Sequence, residues 1–248
     1  MKSFRADYVF PVCADPVKNG IVTVDDLGKV IAVSDQPPND HNLQIEQLSG
    51  IICPGFVNTH CHLELSHLRD KISPDSGMIK FITDLQALRA SSQDEIEAAA
   101  IQADEEIYEN GIVAVGDIVN SAVTAPIKAK SKLYYHTFVE IFSFTPAKAD
   151  ETFAGALDML AQFKPMPCSV TAHAPYSVSK ELLKLIKNYA DHNSNLLSIH
   201  NQECDDENKF FRYKLGGFVD LYAHFGIDIS FFKPQARNSI QSVLPLLT

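Results

Sequence analysis

The stretch PGFVNTHCHLELSH, residues 54–67, holds three of the chain's nine histidines, with His60 and His62 separated by a single cysteine. Side chains alternate along a strand, so residues i and i+2 lie on one side; in a strand these two imidazoles can reach one ion. The spacing alone is a weak signal. With nine histidines in 248 residues, about 0.3 such pairs arise by chance in each chain. A strand end that carries histidine and is capped by backbone is the competing explanation, and the surroundings decide between the two.

Downstream, short β-rich runs alternate with longer helical ones. Strands are expected at residues 51–59, 112–119, 133–142, 168–173 and 196–200. Helices are expected at 78–90, 94–110, 151–163 and 180–192, the last with Ser179 as its N-cap. Residues 205–225 read as helix broken at Gly216-Gly217. Near-continuous apolar strands separated by helices indicate parallel βαβ units, buried on both faces. A (β/α)₈ barrel takes about 250 residues and eight such steps, and it places its active site at the C-terminal strand ends. Five steps are present, and His60 and His62 close the first. Upstream, residues 1–50 alternate apolar and polar positions around turns at Asn19-Gly20 and Asp26-Leu27-Gly28, which predicts antiparallel hairpins. DQPPNDHN, residues 35–42, reads as a polar connection.

Two more strand ends carry polar groups. In LLSIHNQECDDENKFF, His200 ends an apolar run and Glu203 follows three residues later. Three extended residues span about 10 Å, so Glu203 must lie on a turn to share His200's surroundings; a surface ion pair is the bland alternative. In SVTAHAPYSVS, His173 ends a strand that Ala174-Pro175-Tyr176 breaks, and a hydrogen-bonded structural histidine is the alternative there. Glu64 falls on the side of His62 if the strand runs on, where it would line the substrate pocket or cap a first helical turn. Glu140 ends the run YYHTFVE and sits at the expected barrel mouth. His41, His136 and His192 have no partner pattern and read as surface or core residues.

Composition narrows the partners. Hydrophobic residues make up 46% and charged residues 21%, and 31 acidic against 21 basic residues give a formal charge of −10. That balance argues against sequence-independent binding to phosphate backbones or anionic lipid and favours a small-molecule partner. The five cysteines are odd in number and never form CxxC, which suits a reducing compartment. The opening MKSFRADYVFPVCADPV meets Arg5 and Asp7 before any apolar run, so neither a secretory signal nor a membrane anchor is expected there. No segment approaches the roughly 20 apolar residues that a bilayer requires. A cytoplasmic location is the default expectation.

PGFVNTHCH, HAPYS and HNQE, in this order after a small β-rich segment, resemble the amidohydrolase superfamily. Within it the chain resembles the metal-dependent aminohydrolases and chlorohydrolases of purine, pyrimidine and triazine rings. NTHCHLELSHL with SVTAHAPYSVS and SIHNQE is most similar to aminodeoxyfutalosine deaminase-like proteins. The resemblance implies a (β/α)₈ TIM-type barrel of metallo-dependent hydrolases at residues 51–248, with about five βα units present, and a small β-sandwich portion at residues 1–50. It makes His60, His62 and His200 ligands of one divalent metal ion, zinc ahead of iron. It gives Glu203 the acid/base role and His173 a contact to the substrate or leaving group. It also implies a small heterocyclic substrate, no nucleic acid, no membrane, and room for a homodimer. The pattern has two further members, a histidine ending strand six and an aspartate ending strand eight, and neither motif occurs before Thr248. Asp228 in GIDIS lacks the surrounding pattern and His224 falls in a helical stretch, so neither substitutes. The expectation is therefore of a longer natural chain, since an open edge at strand five would invite aggregation. A hydantoinase-like two-metal site would need a carboxylated lysine, and no strand-end lysine stands out.

The chemistry explains the residue types. Replacing a ring amine by oxygen needs hydroxide, and a bound zinc ion lowers water's pKa from about 15.7 to about 7. Neutral imidazoles suit zinc and iron. The ring nitrogen and the departing amine each need a proton, and one carboxyl can carry both, typically adding about 10²- to 10⁴-fold. The expected reaction is hydrolytic deamination of a purine-like or other N-heterocyclic amine, hydroxide attacking the amine-bearing carbon. The alternatives are loss of chloride or an amide from a similar ring, or a non-catalytic fragment or pseudoenzyme that binds without turnover.

Overall fold

A computed structural model describes residues 1–37, 44–73 and 75–247. His41 and most of the polar connection expected at residues 35–42 lie outside them. The chain divides into two compact units, Met1–Phe56 and Val57–Thr248.

The first unit contains β1 (Lys2–Arg5), β2 (Tyr8–Val9), β3 (Val17–Lys18), β4 (Ile21–Val24), β5 (Val30–Ser34), β6 (Ile45–Gln47) and β7 (Ile51–Ile52). They form two sheets, ordered β5-β4-β1-β6 and β3-β2-β7. The hairpin expected about Asp26-Leu27-Gly28 is present, β4 pairing antiparallel with β5; Asn19-Gly20 instead carries the chain from β3, which pairs antiparallel with β2, to β4 in the other sheet. At the β4–β5 turn the Asp25 carboxylate accepts the backbone N–H groups of Leu27 and Lys29, each at 2.9 Å, an aspartate-stabilised turn. The run expected as one strand at residues 51–59 is split. Pro54 lacks an N–H for a ladder and interrupts it; β7 pairs with β2 in the first unit, and β8 (Phe56–Cys61) begins a second sheet.

That sheet contains β8, β9 (Ile112–Val119), β10 (Tyr134–Ile141) and β11 (Cys168–Ala172) in the order β11-β10-β9-β8. β9–β10 and β10–β11 are parallel, and their register sets Val119, Val139 and Val170 side by side. All three are fully buried β-branched residues, suited to a pleated interior. Burial on both faces does not extend to β8. It stands at the sheet's edge, with Phe56 and Val57 each 62% exposed.

The helices are α1 (Met78–Leu88), α2 (Gln93–Glu109), α3 (Ala125–Lys128), α4 (Ala149–Gln162), α5 (Lys180–His192), α6 (Asp205–Tyr213), α7 (Gly217–His224) and α8 (Ser239–Val243). Ser179 caps α5, its hydroxyl accepting the Leu182 N–H, and Leu182, Leu183 and Ile186 form the buried face. The break between α6 and α7 falls where expected: Gly216 takes φ 93°, and a Cβ on Gly217 would stand 2.6 Å from Ile79. Beyond it, Phe210, Phe218 and Tyr222 join Phe144 and Phe232 in an aromatic cluster, Phe210 stacking on Phe232 at 4.6 Å. Burying each such ring contributes about 1.5–3 kcal/mol, and together they hold α6 to α7 and to the loops that carry Phe144 and Phe232.

Residues 196–200 do not form the expected fifth strand, although the run lies beside β11. Side-chain hydroxyls occupy the place of the ladder. Leu196 N–H donates to Ser169 Oγ at 3.0 Å and Ser198 N–H to Thr171 Oγ1 at 2.8 Å, while Thr171 Oγ1 donates back to Ser198 O. The Asn195 amide spans Val170 N and O, and His200 N–H reaches His173 O at 2.8 Å. The run thus keeps step with β11 at intervals of two residues without direct backbone pairing until its end.

Behind β9, Asp117 and Lys128 form a fully buried ion pair at 2.5 Å. Lys128 also donates to Thr137 Oγ1 and lies over the Phe163 and Tyr135 rings, while Asp117 accepts the Leu63 N–H at 2.8 Å. One pair therefore ties α3 and β10 to the turn that follows β8. Removing one partner strands a buried charge, at about 3–5 kcal/mol. Lys128→Met is expected to lose stability on that scale in urea unfolding, and Asp117→Asn/Lys128→Met to lose less. A double variant no more stable than the single one would contradict this account.

Candidate metal centre

The parallel strands end together, and the polar residues gather there. His60 is the penultimate residue of β8, Glu140 the penultimate of β10, and His173 follows β11 directly. The rings of His60 and His62 lie 5.0 Å apart, centroid to centroid, and His200 lies 4.6 and 5.7 Å from them. One ring nitrogen from each of the three lies within 4.8 Å of the other two. Glu140, His173 and His200 meet the same condition. Ligand atoms on a tetrahedral zinc with bonds of about 2.0–2.1 Å stand about 3.4 Å apart, so small side-chain rotations would close the three-histidine set.

The donors suit a metal. Neither the His60 nor the His62 ring makes a hydrogen bond among the described residues. Burial, reinforced by neighbouring histidines, pulls His62 down to about 4, and burial also lowers His60. Both are therefore neutral at pH 7, the form that binds zinc or iron. His200 sits between two carboxylates, Nδ1 3.2 Å from Glu203 Oε1 and Nε2 3.5 Å from Glu140 Oε1. The bond to Glu203 raises its pKa against the opposing effect of burial. A carboxylate on one ring nitrogen fixes the tautomer and presents the other nitrogen's lone pair.

Glu203 reaches His200 because the chain turns sharply between them. Gln202 has φ 63°, and Glu203 N–H is held by Glu207 Oε2 at 3.0 Å. Tyr176 donates its hydroxyl to Glu203 Oε2 at 2.5 Å. Burial works to raise the Glu203 pKa, but the bonds from His200 and Tyr176 outweigh it and the net shift is downward. Glu203 is thus a carboxylate at neutral pH with one oxygen tied to Tyr176 and the other beside His200. His173 Nδ1 lies 2.6 Å from Ser177 Oγ, and its ring centroid is 5.2 Å from that of His200. Burial, with the His200 charge, brings it to about 4.

Glu64 departs from the strand reading. The strand stops at Cys61 and a 3₁₀ turn covers Leu63–Leu68, so strand alternation no longer carries it to the side of His62. It lies instead in the first turn of that segment, the other position expected for it, and its buried carboxylate accepts Asn120 N–H, Ser121 N–H and Ser121 Oγ–H at 2.9, 3.0 and 2.6 Å. It pins the loop after β9. Asn120 passes the link on, its side-chain amide donating to Glu140 O and Oε2 at 3.0 and 3.2 Å. Tyr176, Glu207 and Asn120 had no assigned role in the sequence, although Tyr176 lay inside HAPYS and Glu207 inside LLSIHNQECDDENKFF. His136 and His192 stay apart from the centre, bonded to Ser169 Oγ and Asn188 O.

Comparison with known proteins follows this geometry. The amidohydrolase family model matches residues 51–228, a span that contains every side chain of the centre. Aminodeoxyfutalosine deaminase of Deinococcus radiodurans is 28% identical over 217 residues, covering 83% of this chain and 51% of that protein. The crystal structure of Helicobacter pylori aminofutalosine deaminase in complex with methylthio-coformycin aligns with a TM-score of 0.80 at 21% identity, over 94% of this chain and 59% of that one. An adenosine deaminase from Xanthomonas campestris with bound zinc aligns at 0.68 and 21% identity, over 91% and 55%. The chain spans about half the length of the curated relatives it matches. The structural likeness carries the fold, a partial (β/α) barrel as the sequence implied. With the family model matched over most of its length, the chain belongs to the amidohydrolase family.

Proposed function

We propose that this chain carries the metal-binding and proton-transfer residues of a metal-dependent hydrolytic deaminase acting on a purine-like or other N-heterocyclic amine. The observation that carries the reading is the convergence of His60, His62 and His200 with Glu203 bonded to the third of them. His60, His62 and His200 would hold one divalent ion. Zinc is favoured over iron by the three-imidazole donor set and by the zinc in the Xanthomonas campestris relative. Such an ion supplies a nucleophile at neutral pH by lowering the pKa of water.

The remaining steps belong to the chain. Glu203 is ionised at the outset and takes one proton of the attacking water. It passes that proton to the ring nitrogen, then takes the second proton from the hydroxyl now on the attacked carbon and passes it to the departing amine, which leaves as ammonia. Neutral His173, its Nδ1 held by Ser177, offers Nε2 to the substrate or leaving group. Glu64 acts from a distance, bracing Asn120 and Ser121 at the rim. The substrate in this reading is a small molecule and not nucleic acid, in keeping with the charge of −10. No helix among the described residues is long and apolar enough to cross a membrane, and we place the reaction in the cytoplasm.

Metal analysis tests the site first. His60→Ala and His200→Ala are each expected to weaken zinc binding at least tenfold relative to wild type, measured by competition with a chromophoric chelator; wild-type affinity in both would contradict the assignment. Ammonia release tests the reaction. With a panel of adenine nucleosides the protein is expected to liberate ammonia, and Glu203→Gln to slow it by about 10²- to 10⁴-fold. No ammonia from any aminated heterocycle would exclude deamination, and chloride release from a chlorinated ring would mark the other branch of the chemistry.

A further inference from the structure

Glu140 stands at the histidine cluster, and the proposed reaction leaves it unused. We propose that Glu140 contacts the substrate, its Oε1 accepting an N–H of the amine that is to be replaced, and that it thereby selects an aminated ring over the oxo product. This rests on the deaminase reading above and adds a specificity determinant from β10 to it.

Placement carries the inference. His200 belongs to two groups of donor atoms, and within each group the atoms lie no more than 4.8 Å apart: one with His60 and His62, the other with Glu140 and His173. The first is the metal set, so Glu140 lies on the side of His200 where His173 meets the substrate. Two side-chain atoms that close can reach one edge of a ligand through hydrogen bonds of about 2.9 Å. Phe142, two residues beyond Glu140 and 46% exposed, has its ring centroid 6.1 Å from that of His173. An open aromatic ring at that place suits a planar heterocycle.

The side chain is also oriented for the task. Glu140 is buried, and the Asn120 amide donates to its Oε2 at 3.2 Å and to its backbone oxygen at 3.0 Å, while Glu64 holds the Asn120 N–H. That leaves Oε1 for a ligand. It stands 3.5 Å from His200 Nε2, longer than the roughly 2.7–3.2 Å of an N–H···O bond, and that nitrogen serves the ion in this reading. A ring amine presents N–H donors, because its lone pair is drawn into the ring. Hydrolysis puts a carbonyl oxygen in its place, which only accepts. A carboxylate oxygen facing this position attracts the first and repels the second, and a buried polar group left without its partner is costly.

The test compares adenosine with inosine, an amine and its oxo product, by equilibrium dialysis against the zinc-loaded 248-residue chain carrying Glu203→Gln to suppress turnover. Burial raises Glu140 to about 7, so the pH is held well above that value. With Glu140 present, adenosine is expected to bind at least tenfold more tightly than inosine. Adding Glu140→Gln is expected to invert the preference: Asn120 draws the amide oxygen, the amide N–H groups turn toward the ligand, and a donor there favours the carbonyl. Adding Glu140→Ala is expected to erase it. Absence of an adenosine preference in the chain with Glu140 overturns the proposal. So does an equal loss of affinity for both nucleosides in the two variants, the result expected of a residue that only holds Asn120. Should Glu140→Gln fail to fold by circular dichroism, Glu140→Ala decides. Failure of the chain with Glu140 to bind adenosine overturns the inference as well, and ammonia release from the protein with Glu203 present then shows whether the deaminase reading falls with it.

Discussion

The centre depends on how closely β8 can lie against β9. A Cβ on Gly116 of β9 would stand 2.7 Å from the Thr59 carbonyl oxygen and 3.3 Å from the Phe138 ring, closer than real side chains come to a backbone oxygen. Only glycine permits this approach. The next residue along β8 is His60. The strand that carries His60 and leads directly into His62 can therefore lie this close to β9 because one side chain is missing from its neighbour.

On β9 the residue after that glycine faces the other way and does a different task. Asp117, paired with Lys128, accepts the Leu63 N–H and bonds the Cys61 thiol. Cys61 and Leu63 alternate with His60 and His62, so the buried pair grips one face of the strand end while the imidazoles occupy the other. Burial raises the Asp117 pKa and lowers that of Lys128, the tendency of each to lose its charge, and their mutual attraction opposes it. On the front face, burial keeps His62 and His173 neutral while Glu203 favours a charged His200. A cation between these groups would take over the role of that proton.

Much of this was legible in the sequence where local rules operate. Strand alternation put His60 and His62 on one side, the Ser179 cap and the Gly216-Gly217 break fell where hydrogen bonding and backbone freedom require, and the turn needed to bring Glu203 to His200 exists at Gln202. Local rules failed where long-range contacts decide. Glu64 left the strand pattern because a 3₁₀ turn begins at Leu63, and its partners Asn120 and Ser121 lie more than 50 residues away. Residues 196–200 are apolar enough for a strand, yet Ser169 and Thr171 place hydroxyls where backbone pairing would run. The four-residue α3 is too short for periodicity to reveal. Tyr176 reaches Glu203 across 27 residues, a contact no spacing rule announces.

The central claim is that three imidazoles at the ends of these strands enclose one ion. Anomalous diffraction at the zinc edge from crystals equilibrated with Zn²⁺ tests it most directly. The account predicts a single strong peak about 2.0–2.1 Å from one ring nitrogen each of His60, His62 and His200. A peak elsewhere on the chain, with none among these three rings, would contradict it.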